Sequence, residues 1–429
     1  MKKDFFILRL LVLAILWVGL GVLLLQGKLD NRLVWQGLVF SALILLGCLI
    51  EYLLGYKGDP YILPVVQAIM ALGLVFLARI RPASALRQFW WASISLFVFY
   101  LVLLALRDYK ILGRYRYLAG IVAVGLLLLT LVFGVAANGA TSWLELGGIR
   151  FEPEEFVKIA MLVFLASYLG ENEELLRIGT VQFGRFSLPD WRTFGPFLVM
   201  GTFSLGLLAA QKSLGTALVF YLVFVLTLYV VTERFLYLAV SVPIFLLTGS
   251  LGYLLFGHVR LRVAMWLNPW SDTTGGGYQI AQSLFSIAGG RILGTGLGNG
   301  IGAFQVPAAS TDFVFSVIAE ELGFGGAMAV LCLFLIIVIR AFVVSLRAQE
   351  RFGQILAAGI GILLGTETLI ILAGVTKLLP LTGIPLPWVS YGGSSLLVHF
   401  ILLGILINIS HSTAAGTFGL KAKRREYSA

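Results

Sequence analysis

Long continuous apolar runs, rather than alternation, set the pattern of this chain. They fall near 5–26, 33–54, 61–79, 90–106, 117–136, 153–170, 193–210, 214–231, 236–257, 311–339, 355–376 and 394–410. A helix needs about 20 predominantly apolar residues to cross the hydrocarbon core of a bilayer, so the pattern predicts twelve transmembrane helices. Membrane strands would instead alternate over about 10 residues. Helices also close their backbone hydrogen bonds internally, as lipid requires. The predicted fold class is an all-α integral membrane protein, a polytopic helical bundle. The first run, in "MKKDFFILRLLVLAILWVGLGVLLLQ", is too long for a cleaved leader and lacks a small-residue cleavage site, so it reads as an uncleaved span.

Composition agrees with the pattern. The chain is 59% hydrophobic and only 12% charged, about half the charge of a soluble domain. The net charge of +10, from 31 Lys and Arg against 21 Asp and Glu, would suggest nucleic acid in a soluble chain. Here it follows the positive-inside bias. With the N-terminus inside, the cytoplasmic side receives "RDYKILGRYRY" (107–117), Arg177, Arg185 and Arg192, then Arg340, Arg347 and Arg351, and the tail "KAKRRE". One loop dissents: "ARIRPASALRQ" (78–88) carries three arginines to the outer side. Cys48 and Cys332 lie within apolar runs and suggest neither a disulfide framework nor a metal site.

Three segments unlike ordinary linkers share the outer side: 137–156, 258–312 and 377–393. The middle one, about 55 residues, far exceeds the 12–15 beyond which loops are usually functional or disordered. Its glycines ("TTGGGYQ", "AGGRILGTGLGNGIG") are mixed with Trp, Phe, Arg and Gln, which fits an ordered cap over a cavity, with short interfacial or re-entrant helices. No GK[ST] follows them, so this is not a nucleotide phosphate loop.

Ionisable residues in or beside spans are expensive and usually functional. In "STDFVFSVIAEELGFGG" (310–326), Asp312 is placed at the outer start of a span, where it suits either a helix cap or chemistry. Glu320 and Glu321 lie roughly 12–14 Å further along the helix and read as buried partners in helix packing. In "NGATSWLELGGIRFEPEEFVKIAMLVFLASYL" (138–169), Pro153 suits a first helical position and Lys158 shares a face with Glu155. That lysine is either an internal ion-pair partner or a cation aimed at an anionic ligand. Trp143 fits an interfacial anchor. The uncharged, proline-rich "LLPLTGIPLPWVSYGGSSLL" (378–397) is either a stiff turn or a re-entrant element whose free N–H groups bind an anion.

Taken in order, "NGATSWLELGGIRFEPEEFVK", "QKSLGTALV", "RVAMWLNPWSDTTGGGYQIAQSLFSIAGG", "GTGLGNG", "STDFVFSVIAEELGFGG" and "LPLTGIPLPWVSYGGSS" resemble the motifs of the SEDS family (shape, elongation, division and sporulation) across about 107–410. "GIPLP", with Pro385, resembles the RodA branch more than the FtsW branch. The resemblance implies a glycosyltransferase that polymerises lipid II into peptidoglycan strands during elongation and shape maintenance. It implies a family core of about ten spans (61–412) preceded by an extra pair (1–60), with 258–312 as the extracytoplasmic loop and 413–429 as a basic cytoplasmic tail. It also implies a bacterial inner-membrane location with the site facing outward, and a class B penicillin-binding protein (transpeptidase) as partner. Lipid II and undecaprenyl-diphosphate-linked glycan are the implied substrates, with no nucleic acid.

By the same resemblance Asp312 maps to the essential catalytic aspartate, Trp143 to the motif tryptophan, and Glu155 and Lys158 to the motif Glu and Lys. The matching stretches add Gln279, Gln282, Ser283, Ser390, Gly392, Gly393 and Ser394 as substrate-binding candidates, while Glu320 and Glu321 stay structural. Lys212, Arg262, Arg291 and Lys377 are cations available to a diphosphate. No metal ligand set is present in the motifs; a divalent cation such as Mg would assist, but nothing compels one. The motifs depart at Ser142 (family Arg), at Ser213 (family Asp), at Ala308 (family Glu) and at "EPEE", where the family reads "QPSE". A lipid II flippase and a non-catalytic scaffold for a penicillin-binding protein are the competing readings; inverted repeats would favour the first, and none is evident.

Overall fold

The chain is described in a computed structural model covering residues 2–53, 55–137, 140–179, 181–183, 186–272 and 274–426. An N-terminal hairpin, α1 (Lys2–Leu25) and α2 (Asn31–Leu53), precedes α3 (Ile62–Ile80) and α4 (Pro82–Ala105). Short α5 (Lys110–Arg114) leads into α6 (Arg116–Phe133). A three-stranded antiparallel sheet follows: β1 (Val135–Ala137), β2 (Ala140–Leu146) and β3 (Ile149–Phe151). Next come α7 (Pro153–Ile178) and a hairpin of β4 (Val181–Phe183) and β5 (Phe186–Leu188). Helices α8 (Trp191–Ala210), α9 (Leu214–Thr232) and α10 (Phe235–Leu255) then cross back and forth. The long segment folds as α11 (Gly257–Leu267), a 3₁₀ turn (Pro269–Asp272), α12 (Tyr278–Gly290) and α13 (Gly302–Gln305). The chain closes with α14 (Val314–Arg347), α15 (Arg351–Val375) and α16 (Gly393–Glu426).

Eleven of these helices are long and apolar enough to cross a membrane. The remaining expected span is α7, a 26-residue helix, which at 1.5 Å per residue is about 39 Å long. It carries Glu154, Glu155 and Lys158 at one end and Arg177 at the other, which makes it less apolar than the other eleven. Yet its first half is buried against α6, α9, α15 and α16. The protein is thus a multi-pass helical membrane protein. Helix α10 is the opposite case, with no buried residue and α9 and α11 as its neighbours; its apolar surface suits lipid.

Successive crossings create two polar ends. At the end where α1 begins, Lys110 pairs with Glu350 (2.8 Å), Arg177 with Glu233 (3.1 Å) and Arg351 with Glu173. Arg185 lies outside the described residues. The opposite, distal end holds the sheet, the segment from α11 to α13 and the irregular stretch 376–392.

One of the three arginines in the dissenting loop has a local explanation. Arg79 is buried, sits 3.4 Å from Glu321 and donates to the Gly300 carbonyl (3.1 Å). It serves as an internal counter-ion, not a loop charge, so the positive-inside count should not include it.

Candidate active site

The distal corner is built where four helix N-termini meet. Pro153 opens α7 with Glu154 and Glu155 in its first turn, and α9, α14 and α16 begin nearby at Leu214, Val314 and Gly393. The Ser394 hydroxyl accepts from the Glu152 amide (3.2 Å), tying α16 to α7, and Ser213 donates to Glu154 (2.6 Å), tying α9 to α7. Helix N-termini present unpaired N–H groups and partial positive charge, which favours anions.

Stretch 376–392 threads through this corner as non-helical backbone buried in protein. A Cβ on Gly73 would lie 2.7 Å from the Val389 Cα, and one on Gly215 would lie 2.7 Å from the Thr382 carbonyl. The two glycines therefore admit the chain between α3 and α9. Gln88 of α4 holds it from another side, donating to the Ser390 carbonyl (3.2 Å) and accepting from the Gly392 amide (3.3 Å). Helix α11 holds it from above: Arg262 donates to the Thr382 and Leu381 carbonyls (3.2 and 3.4 Å), and the Trp266 indole to the Lys377 carbonyl (3.1 Å).

Asp312 stands in a turn just ahead of α14, not in its first helical turn. The amides of Thr311, Asp312 and Phe313 all point to the Ala308 carbonyl, and Ala308 takes a left-handed φ of 53°. The N-cap position of α14 is Phe313, and no side chain caps it, so Asp312 is not spent on capping. The turn is fastened to stretch 376–392 by Tyr391 N–H on the Ser310 carbonyl (2.8 Å) and by the Ser390 hydroxyl on the Thr311 carbonyl. A Cβ on Gly383, itself at φ 74°, would sit 3.6 Å from Asp312 Oδ2. Among the described residues Asp312 makes no ion pair, although Arg262 acts on it at longer range. Burial holds the Asp312 carboxyl above the usual carboxylate range, opposed by the Thr311 hydroxyl and by Arg262. Glu152 is raised too, by burial and by its neighbours Glu155 and Glu154, with Asp312 adding to the effect.

Lys158 lies in different surroundings. It is 2% exposed and bonds Glu155 (2.7 Å) and Glu367 of α15 (2.6 Å). The other Glu367 oxygen faces His399 Nε2 of α16 (2.7 Å), while His399 Nδ1–H donates to the Ser395 carbonyl (2.6 Å). A carbonyl only accepts, so a second proton lies between His399 and Glu367. The quartet is internally balanced and closed to the corner. Of the two roles read for Lys158, this geometry is that of an ion-pair partner.

Glu320 and Glu321 also serve the fold, but not by helix packing alone. Glu320 accepts from the amides of Ile301 and Gly302 (both 2.9 Å), and Glu321 from that of Gly298 (2.8 Å). The glycine-rich stretch 294–302 thus reaches down beside α14. Gly294 and Gly323 meet backbone to backbone, and α14 breaks at Gly323 (φ 68°) to admit the contact.

The other candidates divide by exposure. Ser283 is fully buried, bonding Ser316 (2.7 Å) and the Val375 carbonyl (3.0 Å), and Ser390 is buried as described. Gln279 and Gln282 are half-buried on α12, as is Trp143 on β2; Gly392 and Gly393 are half-buried at the start of α16. Lys212, Arg291 and Lys377 all take left-handed backbone (φ 61°, 48° and 62°) at distal helix ends, with Lys212 and Arg291 exposed. Three departures from the motifs meet at one place: buried Glu154 takes the Ser213 hydroxyl, with the Ser142 hydroxyl within hydrogen-bonding reach. Motif and pattern do not point to Glu152, Glu367 or His399, which the fold brings to the corner. The available signal for the last two is a lone ionisable residue inside an apolar run. Among the described residues, no three His, Cys, Asp or Glu side chains cluster as a metal site.

Comparison with known proteins supplies the family. The FtsW/RodA/SpoVE model, described as "Cell cycle protein", matches residues 60–415. Peptidoglycan glycosyltransferase RodA of Mycobacterium tuberculosis (strain ATCC 25618 / H37Rv) is 38% identical over 421 residues, 94% of this chain and 90% of that protein. Among solved structures, a chain of a peptidoglycan synthase complex coordinating polymerization and crosslinking superposes with a TM-score of 0.69 at 28% identity, over 83% of this chain and 98% of that one. Thermus thermophilus rod shape determining protein RodA superposes at 0.58 and 27% identity, over 83% and 97%. With a match of that extent and the motifs in family order, the chain belongs to the FtsW/RodA/SpoVE family, the SEDS family.

Proposed function

We propose that this chain is a peptidoglycan glycosyltransferase of the elongation machinery that joins lipid II units into glycan strands, with Asp312 as its general base. The observation that carries the assignment is the contrast in partners. Asp312 is a half-buried carboxylate of the distal corner that makes no ion pair among the described residues yet has the Arg262 guanidinium at longer range, whereas Lys158 and Glu320 are fully engaged.

The chemistry follows from the substrates. The 4-hydroxyl of the lipid II GlcNAc attacks the anomeric carbon of a glycan carried on undecaprenyl diphosphate. Asp312 accepts the hydroxyl proton as the new C–O bond forms, and the bond to the diphosphate breaks with its electron pair leaving on oxygen. An α-linked donor becomes a β-1,4 product by a single inversion. Diphosphate leaves readily, so one carboxylate suffices where hydrolases use two. Charge on the leaving group is offset by Arg262, Lys212 and Lys377 and by the helix N-termini at Pro153, Leu214 and Gly393. Half-buried Gln279, Gln282 and Trp143 contact sugar or phosphate. Buried Ser283, Ser390 and Ser394, with Gly392 and Gly393, set the backbone around it, and Glu155 and Lys158 fix α7 against α15 beneath it.

The distal side faces outward from the bacterial inner membrane, and a class B penicillin-binding protein crosslinks the strands. Purified chain given labelled lipid II in detergent should yield a ladder of glycan products, and Asp312→Ala should yield none. No membrane separates two compartments there, so a flippase would leave the lipid II unpolymerised. Adding the cognate transpeptidase tests whether the chain needs its partner.

A further inference from the structure

The N-terminal hairpin lies outside the stretch matched by the family model, which begins at residue 60, yet it touches the segment that leads to Asp312. In the turn between α1 and α2, the Gln26 amide donates to the Leu297 carbonyl (2.9 Å) and the Lys28 ammonium to the Gly298 carbonyl (2.7 Å). The same short stretch is held from its other side by Glu320 and Glu321, which take the amides of Gly298, Ile301 and Gly302. Arg79 adds a grip on the Gly300 carbonyl. The donors of this stretch are therefore held by α14, and its acceptors by the α1–α2 turn and by α3.

The hairpin is itself anchored firmly enough to act as a support. Inside the bundle, Arg9 of α1 bonds both oxygens of Glu51 of α2 (3.1 Å each) and the Gln67 amide oxygen of α3, and Tyr100 of α4 donates to Glu51 (2.8 Å). A buried arginine away from water is tolerated only when so paired. Leu16, Leu20 and Leu23 of α1 are buried as well.

We infer that Gln26 and Lys28 are positioning residues: the N-terminal hairpin braces stretch 294–302 and, through α13 and the turn at Ala308, fixes where Asp312 stands. Stretch 294–302 is rich in glycine and would otherwise sample many backbone states. A brace on its carbonyls removes those states at one fixed point. Misplacing a catalytic group by about 1 Å can cost as much as about 100-fold in rate, so even two hydrogen bonds, one exposed and one part-buried, are worth keeping at this position.

This inference rests on the glycosyltransferase reading, and its test separates the two. The double variant Gln26→Ala with Lys28→Ala is compared with the full chain in detergent by lipid II kinetics, thermal melting and amide hydrogen exchange. Amides of 296–302 should exchange about 10-fold faster in the variant. Turnover should fall about 10-fold while KM for lipid II and the melting temperature stay put. Lys28→Arg alone, which keeps the donor, should behave as the parent. Unchanged exchange in 296–302, or loosened exchange with unchanged turnover, overturns the brace. Failure of the glycosyltransferase reading looks different: the parent chain is itself inactive on lipid II, and the exchange comparison still decides whether the hairpin holds the loop.

Discussion

Two clusters of charge stand near the distal end of the bundle, and they are built on opposite plans. In the quartet Glu155, Lys158, Glu367 and His399, every charge faces another at 2.6–2.7 Å and every member is nearly inaccessible. At Asp312 the protein supplies a half-buried carboxylate, one arginine at longer range and a rim of helix N-termini, and forms no ion pair among the described residues. The first arrangement leaves nothing for a ligand to satisfy. The second leaves an unpaired carboxylate and positive potential side by side, which is what the proposed transfer from a diphosphate to a hydroxyl calls for. Partner geometry, more than charge itself, separates structure from chemistry here.

That comparison can be broken in graded ways. The largest effect is expected at Asp312. Replacement by Ala should take lipid II polymerisation below detection, since a positioned base contributes about 10²–10⁴-fold, with the melting temperature retained. Breaking the quartet should do the reverse. Lys158→Ala leaves buried Glu155 without its cation and Glu367 with His399 alone, and should cost about 3–5 kcal/mol of stability, read as a large drop in melting temperature. If Lys158→Ala instead melts like the parent and loses only donor affinity, the quartet is a binding site after all.

Arg262 lies between these extremes. Removing it should lower turnover about 10-fold and move the acid limb of the pH–rate profile upward. The sign is fixed by the cause: burial raises the Asp312 carboxyl and Arg262 opposes it. The base form exists above that raised value, activity is lost as pH falls through it, and loss of the arginine lifts it further. A downward shift or an unmoved limb in Arg262→Ala would remove the coupling. The smallest effect belongs to Ser213→Ala, which deletes one hydrogen bond to buried Glu154 and should cost about 1–3 kcal/mol of stability with turnover nearly unchanged.

Much of this architecture is legible in the order of residues alone. Apolar run length marks the helices because lipid leaves the backbone no alternative. Even α7 is readable despite its charges. Asp312 stands out because carboxylates are scarce in such runs. Contacts between residues far apart in the chain are what a linear reading misses. Glu367 and His399 look like isolated oddities until α15 and α16 bring them to Lys158. Arg79 looks like a stray loop charge until Glu321 is placed beside it. Glu320 and Glu321 read as partners in helix packing, because nothing in a linear sequence says that a glycine-rich stretch folds down to offer them its amides. The apolar pattern has Asp312 opening a helix; α14 starts two residues later, since the turn centred on Ala308 takes those residues out of helical geometry.

The most direct test of the account is polymerisation of labelled lipid II in detergent by the purified chain carrying Asp312→Ala, run beside its melting curve and the parent. The account predicts a folded protein, melting as the parent does, that makes no glycan strands. A folded Asp312→Ala chain that polymerises lipid II at the parental rate would contradict it.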